Sequence, residues 1–289
     1  MGLYPTGSSN LPLSAIPNEQ SWIDTPGPAS PYWHPFMKTL LLALTGLIAL
    51  APLTRLSGLA ADATPADKQI DAVLDRYTEA MGGRVAIEKV TTRIMKASFE
   101  GPGMPAALDW TQYAKAPNKQ LAEIDIAGMG KMLDGFDGQV AWSKNPFAGL
   151  RVKEGDELAK QKRDADFYRD LHLRTVYTNL TYKGTEKVNG ADVSVLEAKP
   201  SAEAVERWYF DAANGILVRQ DSEFNTADGR MKLQMLFSDH RVVGGIKYPH
   251  LMRIRTDIPG QPGAEFSIKV KEIRHNEVIE DAKFAKPAA

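Results

Sequence analysis

The sequence has no cysteine at all. Disulfide staples, a thiol nucleophile and thiolate metal sites are therefore excluded, as is a product anchored to a membrane through an acylated cysteine. Histidine is scarce, with five in the chain, of which His172, His240, His250 and His275 lie beyond residue 63. None stands in an H-E-x-x-H or H-x-H arrangement, so the spacings that bring two imidazoles to one metal are missing. Asp239 and His240 are neighbours in an alternating segment, where successive side chains point to opposite faces. There is no G-x-S-x-G elbow and no S-x-x-K. Gly101-Pro102-Gly103 joins two alternating segments and opens no helix, so it is a loop and no phosphate cradle. Charge of one sign is lacking too: 35 Lys and Arg stand against 36 Asp and Glu. With no basic patch interleaved with aromatics, capture of nucleic acid or of an anionic membrane is not expected. No enzyme, metal or cofactor is expected. A carboxylate pair converging only in three dimensions stays open, as does a hydrolytic cleft joining His240 or His250 to Asp239.

What is present begins at Met37. Lys38 is followed by an uncharged stretch from Thr39 to Thr54 and then by Gly58-Leu59-Ala60-Ala61-Asp62-Ala63. A short basic start, an apolar centre and small residues at the cleavage spacing read as a secretory signal peptide over 37–63. The stretch is short for a membrane span, which needs roughly 20 apolar residues, and Pro52 and Arg55 close it. Residues 1–36 are rich in Pro, Ser and Gly, a composition that cannot offset chain entropy by burial. Either Met37 is the true start, or 1–36 is a cytoplasmic tail; cleavage and export to the periplasm are expected.

Residues 64–289 read as one domain. Thr64-Pro65-Ala66-Asp67 carries an N-cap, a first-turn proline and an acid at the third position. Ile70, Val73, Leu74, Tyr77 and Met81 then recur at helical spacing, and Gly82-Gly83 stops the helix. A shorter helical piece is expected from Arg84 to Lys89. From Val90 the period changes to two. Strands are expected near 91–100, 106–116, 119–127, 130–136, 139–144, 149–153, 179–188, 192–199, 205–211, 216–224, 231–240, 246–257 and 264–275. They are punctuated by Asp137-Gly138, Asn189-Gly190, Asn214-Gly215, Asp228-Gly229 and Gly244-Gly245, pairs suited to hairpin turns. One interruption reads as helical, roughly Asp156 to Leu173. Its Asp164, Asp166 and Asp170 beside Lys162, Arg163 and Arg169 suggest a solvated face. The fold class is mainly β with helices: a long, strongly curved antiparallel sheet with helices on one face.

Several strands are apolar on one face and charged on the other. Met231, Leu233, Met235 and Phe237 alternate with Lys232 and Gln234, and Met252, Ile254 and Thr256 with Arg253, Arg255 and Asp257. Such a sheet has one solvated face and one that must be covered. Two helices look too few for about a dozen strands. Either the sheet closes as a barrel, or its concave face keeps a hydrophobic cavity. Met132, Met231, Met235 and Met252 recur at inward positions, where flexible thioethers suit irregular apolar ligands as well as ordinary cores.

Several stretches taken together carry a family likeness. They are Tyr77-Thr78-Glu79-Ala80-Met81-Gly82-Gly83, Ala116-Pro117-Asn118-Lys119 and Phe136-Asp137-Gly138-Gln139-Val140-Ala141-Trp142. Trp208-Tyr209-Phe210-Asp211, Asn214-Gly215-Ile216-Leu217, Phe237-Ser238-Asp239-His240 and Gly245-Ile246-Lys247-Tyr248-Pro249 follow, then Asn276-Glu277-Val278-Ile279 before Phe284 and Pro287. The chain resembles the outer-membrane lipoprotein-sorting proteins and is similar to the LolA/LolB carriers. That resemblance implies an open half-barrel whose concave face is lidded by helices. It also implies a soluble, non-enzymatic periplasmic carrier, chaperone-like, of lipids or lipoprotein acyl chains. Inner- and outer-membrane transport partners would load and receive the cargo, and a monomer is expected. The cavity lining is expected to comprise Leu108, Trp110, Trp142, Trp208, Phe210, Met235, Phe237, Met252, Ile254, Phe266 and Ile268. Tyr77 and Met81 would face them from the lid helix. The alternative is an envelope sensor or scaffold binding a protein partner through the same sheet.

Overall fold

The computed structural model describes residues 64–288 except 105, 228, 259 and 260. The expected leader (1–36) and signal peptide (37–63) lie outside the described residues. Helix α1 (Pro65–Met81) begins as its sequence dictates. Thr64 Oγ1 accepts from the Asp67 N–H (3.2 Å) while Asp67 Oδ2 accepts from the Thr64 N–H (3.1 Å), a reciprocal cap. It ends at Gly82 (φ +121°), whose N–H and that of Gly83 return to Glu79 O and Thr78 O. A short α2 (Arg84–Glu88) follows.

Thirteen strands then form one antiparallel sheet: β1 (Thr92–Glu100), β2 (Leu108–Lys115), β3 (Lys119–Ile126), β4 (Gly130–Phe136), β5 (Ala141–Asn145), β6 (Gly149–Val152), β7 (Thr181–Val188), β8 (Ala191–Ala198), β9 (Val205–Asp211), β10 (Leu217–Thr226), β11 (Gly229–Val243), β12 (Ile246–Ile258) and β13 (Gln261–His275). Each falls within a few residues of its period-two segment. The spatial order is β6-β5-β4-β3-β2-β1-β13-β12-β11-β10-β9-β8-β7. The chain thus starts mid-sheet, walks by hairpins to one edge, crosses to the other edge, and walks back until β13 pairs with β1. Asn189-Gly190 and Gly244-Gly245 turn two of these hairpins, each of the four residues at positive φ as a type I′ turn requires.

The crossing is made by α3 (Gly155–Asp164) and α4 (Arg169–Val176). A single continuous helix was expected here, and the structure corrects that. The Phe167 N–H leaves the helical ladder to donate to Pro117 O (3.0 Å), and the Tyr168 hydroxyl donates to Val90 O (2.9 Å). Docking this aromatic pair at one end of the sheet breaks the helix. The α3 helix touches both β5 and β10. These strands are eight spacings apart, about 38 Å on a flat sheet, whereas ten helical residues span roughly 15 Å. Only a strongly curled sheet brings both within reach. The sheet is nevertheless open: β6 and β7 are its two edges and do not pair, so of the two ways to cover the apolar face, barrel closure is not the one used.

The convex side of the β1–β6 half carries its own apolar cluster. Ile94, Leu121 and Trp142 pack there against Ile279 and Phe284 of the C-terminal segment. Trp142 Nε1 donates to Phe284 O (3.1 Å), and Asp281 pairs with Lys115 (2.8 Å) and Lys119 (2.6 Å).

Candidate ligand-binding concavity

Strand register sorts the expected lining. Ala97 and Phe99 of β1 face Trp110 and Leu108 of β2, and Phe99 faces Ile268 of β13. Met252 and Ile254 of β12 lie between Ile268 and Phe266 on one side and Phe237 and Met235 on the other. Met235 is level with Gln220 of β10, which is level with Trp208 of β9, and Phe210 lies two residues along. These side chains share the concave face. Tyr77 of α1 meets them directly, its ring tilted on Phe210 at 5.0 Å, and Phe99 stacks on Phe266 at 5.5 Å. Leu108 is half-buried and the others, with Met81, are buried. Met132, Met231 and Ile124 lie on the same face and are buried as well.

Trp142 is the correction. Its neighbour Ala141 packs with Phe136 under Ala165 and Leu158 of the crossing segment. In a strand, Trp142 must therefore point the other way, into the convex cluster under Phe284. Period two alone could not say which face of β5 was inside.

The second correction concerns α3. Its charged side chains do not form a solvated face: Glu157, Lys160, Gln161 and Asp164 are buried. On the β9 side, Asp164 accepts from Lys160 Nζ and Arg169 Nη1, both at 2.7 Å. Glu206 accepts from Arg163 Nη2 (2.9 Å) and from the Tyr177 hydroxyl (2.8 Å). Lys160 also sits over the Phe224 ring at 5.5 Å, and Tyr177 packs edge-on to Trp208 at 4.7 Å. Burial pushes the Glu206 carboxyl up, but Lys160, Arg163, Arg169 and the Tyr177 hydroxyl more than reverse it, to about 2. On the opposite side, Lys153 Nζ reaches Asp134 Oδ2 and Gln161 Oε1, each at 2.6 Å. There burial dominates, and despite Lys153 the Asp134 carboxyl is raised to about 6. The helix is thus pinned across the concavity by polar groups at both ends. Glu206 shares a strand face with Trp208 and Phe210, and Asp134 with Met132 and Phe136. An acid on the apolar side of an alternating strand was the signal that could have found both.

The α1 helix is held differently. Its N-terminal turn pairs with α4 through Asp67 and Arg174. Its C-terminal end sits directly on sheet turns, so close that a Cβ on Gly82 would lie 2.1 Å from Gly245 O. A further Cβ, on Gly215, would meet Arg76 O at 2.8 Å. Beside it, Tyr77, Met81, Asp170, Gln220, Phe237 and His240 surround a void of about 20 Å³. Both amide atoms of the buried Gln220 lack partners there.

Among the described residues no group of three or more His, Asp or Glu could hold a metal ion. Asp239 is exposed and paired with Arg241 (2.6 Å), and His250 Nδ1 contacts Tyr248 O (3.1 Å).

The geometry has counterparts among solved structures. An outer membrane lipoprotein-sorting protein domain from Vibrio parahaemolyticus superimposes with a TM-score of 0.51 at 16% identity, covering 75% of this chain and 97% of that one. The two share a fold. A DUF1329 family protein from Desulfovibrio piger (TM-score 0.49, 18% identity) and a LolA superfamily protein from Nitrosomonas europaea (TM-score 0.48, 13% identity) are also similar, each over 75% of this chain and 97% of theirs. No protein-family model matches the sequence, and no curated protein matches it significantly. Within this fold the concave face is the apolar one and α1 and α3 lie over it.

Proposed function

We propose that the protein is a non-enzymatic carrier in the bacterial envelope that holds acyl chains of lipids or lipoproteins against the concave face. The observation that carries this reading is the pairing of a broad apolar face with a cover whose inward side is charged. Burying an acyl chain there gains roughly 0.8 kcal/mol per methylene. A purely apolar cover would have to give up comparable burial to open. Buried ion pairs are close to break-even against hydration, so α3 can leave the face at a smaller cost and return without a ligand. The similarity of fold to a lipoprotein-sorting domain supports the same reading, as does the signal-peptide pattern from Met37. Trp110, Trp208, Phe210, Met235, Phe237, Met252, Ile254, Phe266 and Ile268, with Leu108 at the margin and Tyr77 and Met81 from α1, form the proposed binding surface.

The test is to purify the exported protein from native periplasm, extract it with organic solvent and run mass spectrometry, alongside titration with a fluorescent acyl probe. Co-purified lipid and saturable probe binding are expected. Neither lipid nor probe binding would refute the proposal, and N-terminal sequencing of the same sample, expected to begin near Ala61 or Thr64, checks the export step.

A further inference from the structure

The side of the sheet that faces away from the helices holds a second site. A groove of about 480 Å³ crosses β11, β12, β13 and β1 there, lined by Gln234, Leu236, Arg253, Arg255, Glu265 and Ser267, with Glu100 and Gly101 at its end; Ile254 and Phe266, which alternate with these residues along β12 and β13, also border it. Register explains its shape. Leu236, Arg253 and Ser267 form one cross-strand row, and Gln234, Arg255 and Glu265 the next. The short Ser267 leaves space beside two long arginines, while the position of a Gly101 side chain is taken by the Phe266 ring.

Those two arginines stand apart from the rest. Among the described residues every other arginine makes a hydrogen bond, an ion pair or a ring contact, as with Arg219 on Asp221 (2.6 Å), Arg230 on Glu223 (3.2 Å) and Arg207 on Glu197 (2.7 Å). Arg253 and Arg255 make none, although both are exposed on the same face of one strand, two residues apart. The acids around them are already engaged. Glu100 holds Lys269 (2.6 Å), Asp221 holds Arg219, and the Asp257 carboxylate accepts from the Gly263 N–H (2.6 Å). With the Gln234 amide assigned so that its oxygen faces the Arg219 guanidinium, the oxygen accepts from Nη2 (2.7 Å) and Nε (3.2 Å), which leaves the NH₂ as a donor. Ser267 adds a hydroxyl. Among the described residues that line the groove, Glu265 is the unengaged acid that opposes this set, directly across from Arg255.

Two free guanidiniums, an amide NH₂ and a hydroxyl converge on one groove, on central strands hydrogen-bonded on both sides. Paired guanidiniums offer forked donors matched to tetrahedral or planar oxyanions. We infer that this groove is an oxyanion site, for a phosphate group carried on a small molecule or a lipid headgroup, with Leu236 beside it to meet an apolar substituent. The site is separate from the concave face, so it stands or falls independently of the carrier reading.

The experiment uses the mature chain with inorganic phosphate as probe, followed by NMR of the arginine side-chain Nε–H signals and by calorimetry. Saturable shifts of the Arg253 and Arg255 signals are expected, with affinity weakened about tenfold or more in R253Q/R255Q. E265Q should bind more tightly, because a like charge facing the anion is gone. Parallel flotation with phosphatidylglycerol and phosphatidylcholine vesicles separates a headgroup from free phosphate: R253Q/R255Q-sensitive binding to the anionic vesicles alone assigns the headgroup. An unchanged far-UV circular dichroism spectrum and urea midpoint in the double variant show that it folds. The inference is overturned if neither phosphate nor anionic vesicles bind, if binding survives in R253Q/R255Q, or if E265Q binds more weakly.

Discussion

The helices α1 and α3 both cover the concave face, but α1 is seated by shape and α3 by charge. Contact of α1 with the sheet is mainly apolar and steric, through Tyr77 on Phe210 and through Gly82 on the Gly245 carbonyl, with one hydrogen bond from Arg76 Nη2 to Ala213 O (2.7 Å). By contrast α3 turns buried Lys160, Gln161 and Asp164 inward and is tied at one end to Glu206 through Arg163 and at the other to Asp134 through Lys153. Apolar packing loses contact area on any displacement. Ion pairs are lost more abruptly, but each freed charge is rehydrated. Under the proposed carrier reading, α1 is the fixed cover and α3 the one that moves.

The largest effect should come from Glu206→Ala. It leaves Arg163 and the Tyr177 hydroxyl without their acceptor, and Lys160 and Arg169 with Asp164 alone to share, and a cost of about 3–5 kcal/mol is expected by urea denaturation. A loss below about 1 kcal/mol would place the cluster among surface-like pairs and erase the distinction between the two covers.

Next is the pH dependence of the other anchor. Asp134 is raised to about 6 in the folded protein, by burial first, against an ordinary value of 3.8. The native state therefore keeps this proton longer than the unfolded chain. The stabilisation it gives is full below about pH 4 and is lost as pH rises through 6, roughly 3 kcal/mol in all. Subtracting the stability curve of Asp134→Asn from that of the wild type between pH 4 and 7 should expose this falling trend. A difference that is flat or rises with pH contradicts it.

For α1 the expected effect is smaller and of another kind. Gly82→Ala combines a positive φ with a collision against a backbone carbonyl and should cost about 2 kcal/mol. It should also speed hydrogen exchange in residues 70–81 while leaving 155–164 protected; equal loosening of both helices would show one cover instead of two. The least costly change is Thr64→Ala, which removes the N-cap bond and should lower stability by about 1 kcal/mol, without effect on acyl-probe affinity.

All thirteen strands and the α1 caps were legible because they depend on local rules. Alternation, Asn-Gly turns and a capping box act within a few residues of one another. Trp142 and the crossing helices were not, for a shared reason. Period two separates two faces without saying which is inside, and β5 is short, with apolar residues on both sides. Likewise, mixed charges on Asp156–Leu173 suit water equally well as partners, and only the approach of Glu206 and Asp134 from distant strands makes them partners.

By itself, then, the chain determined its elements, the absence of thiol and metal-motif chemistry, and a sheet with one charged and one apolar face. The tertiary structure decided which face of each strand turned inward, that the sheet stayed open, and that the crossing segment buried its charges. Those outcomes depend on the curl that brings β5 and β10 onto one short helix. Curl of that kind is a property of the whole sheet and of the segment that must cross it, and no window of neighbouring residues encodes it.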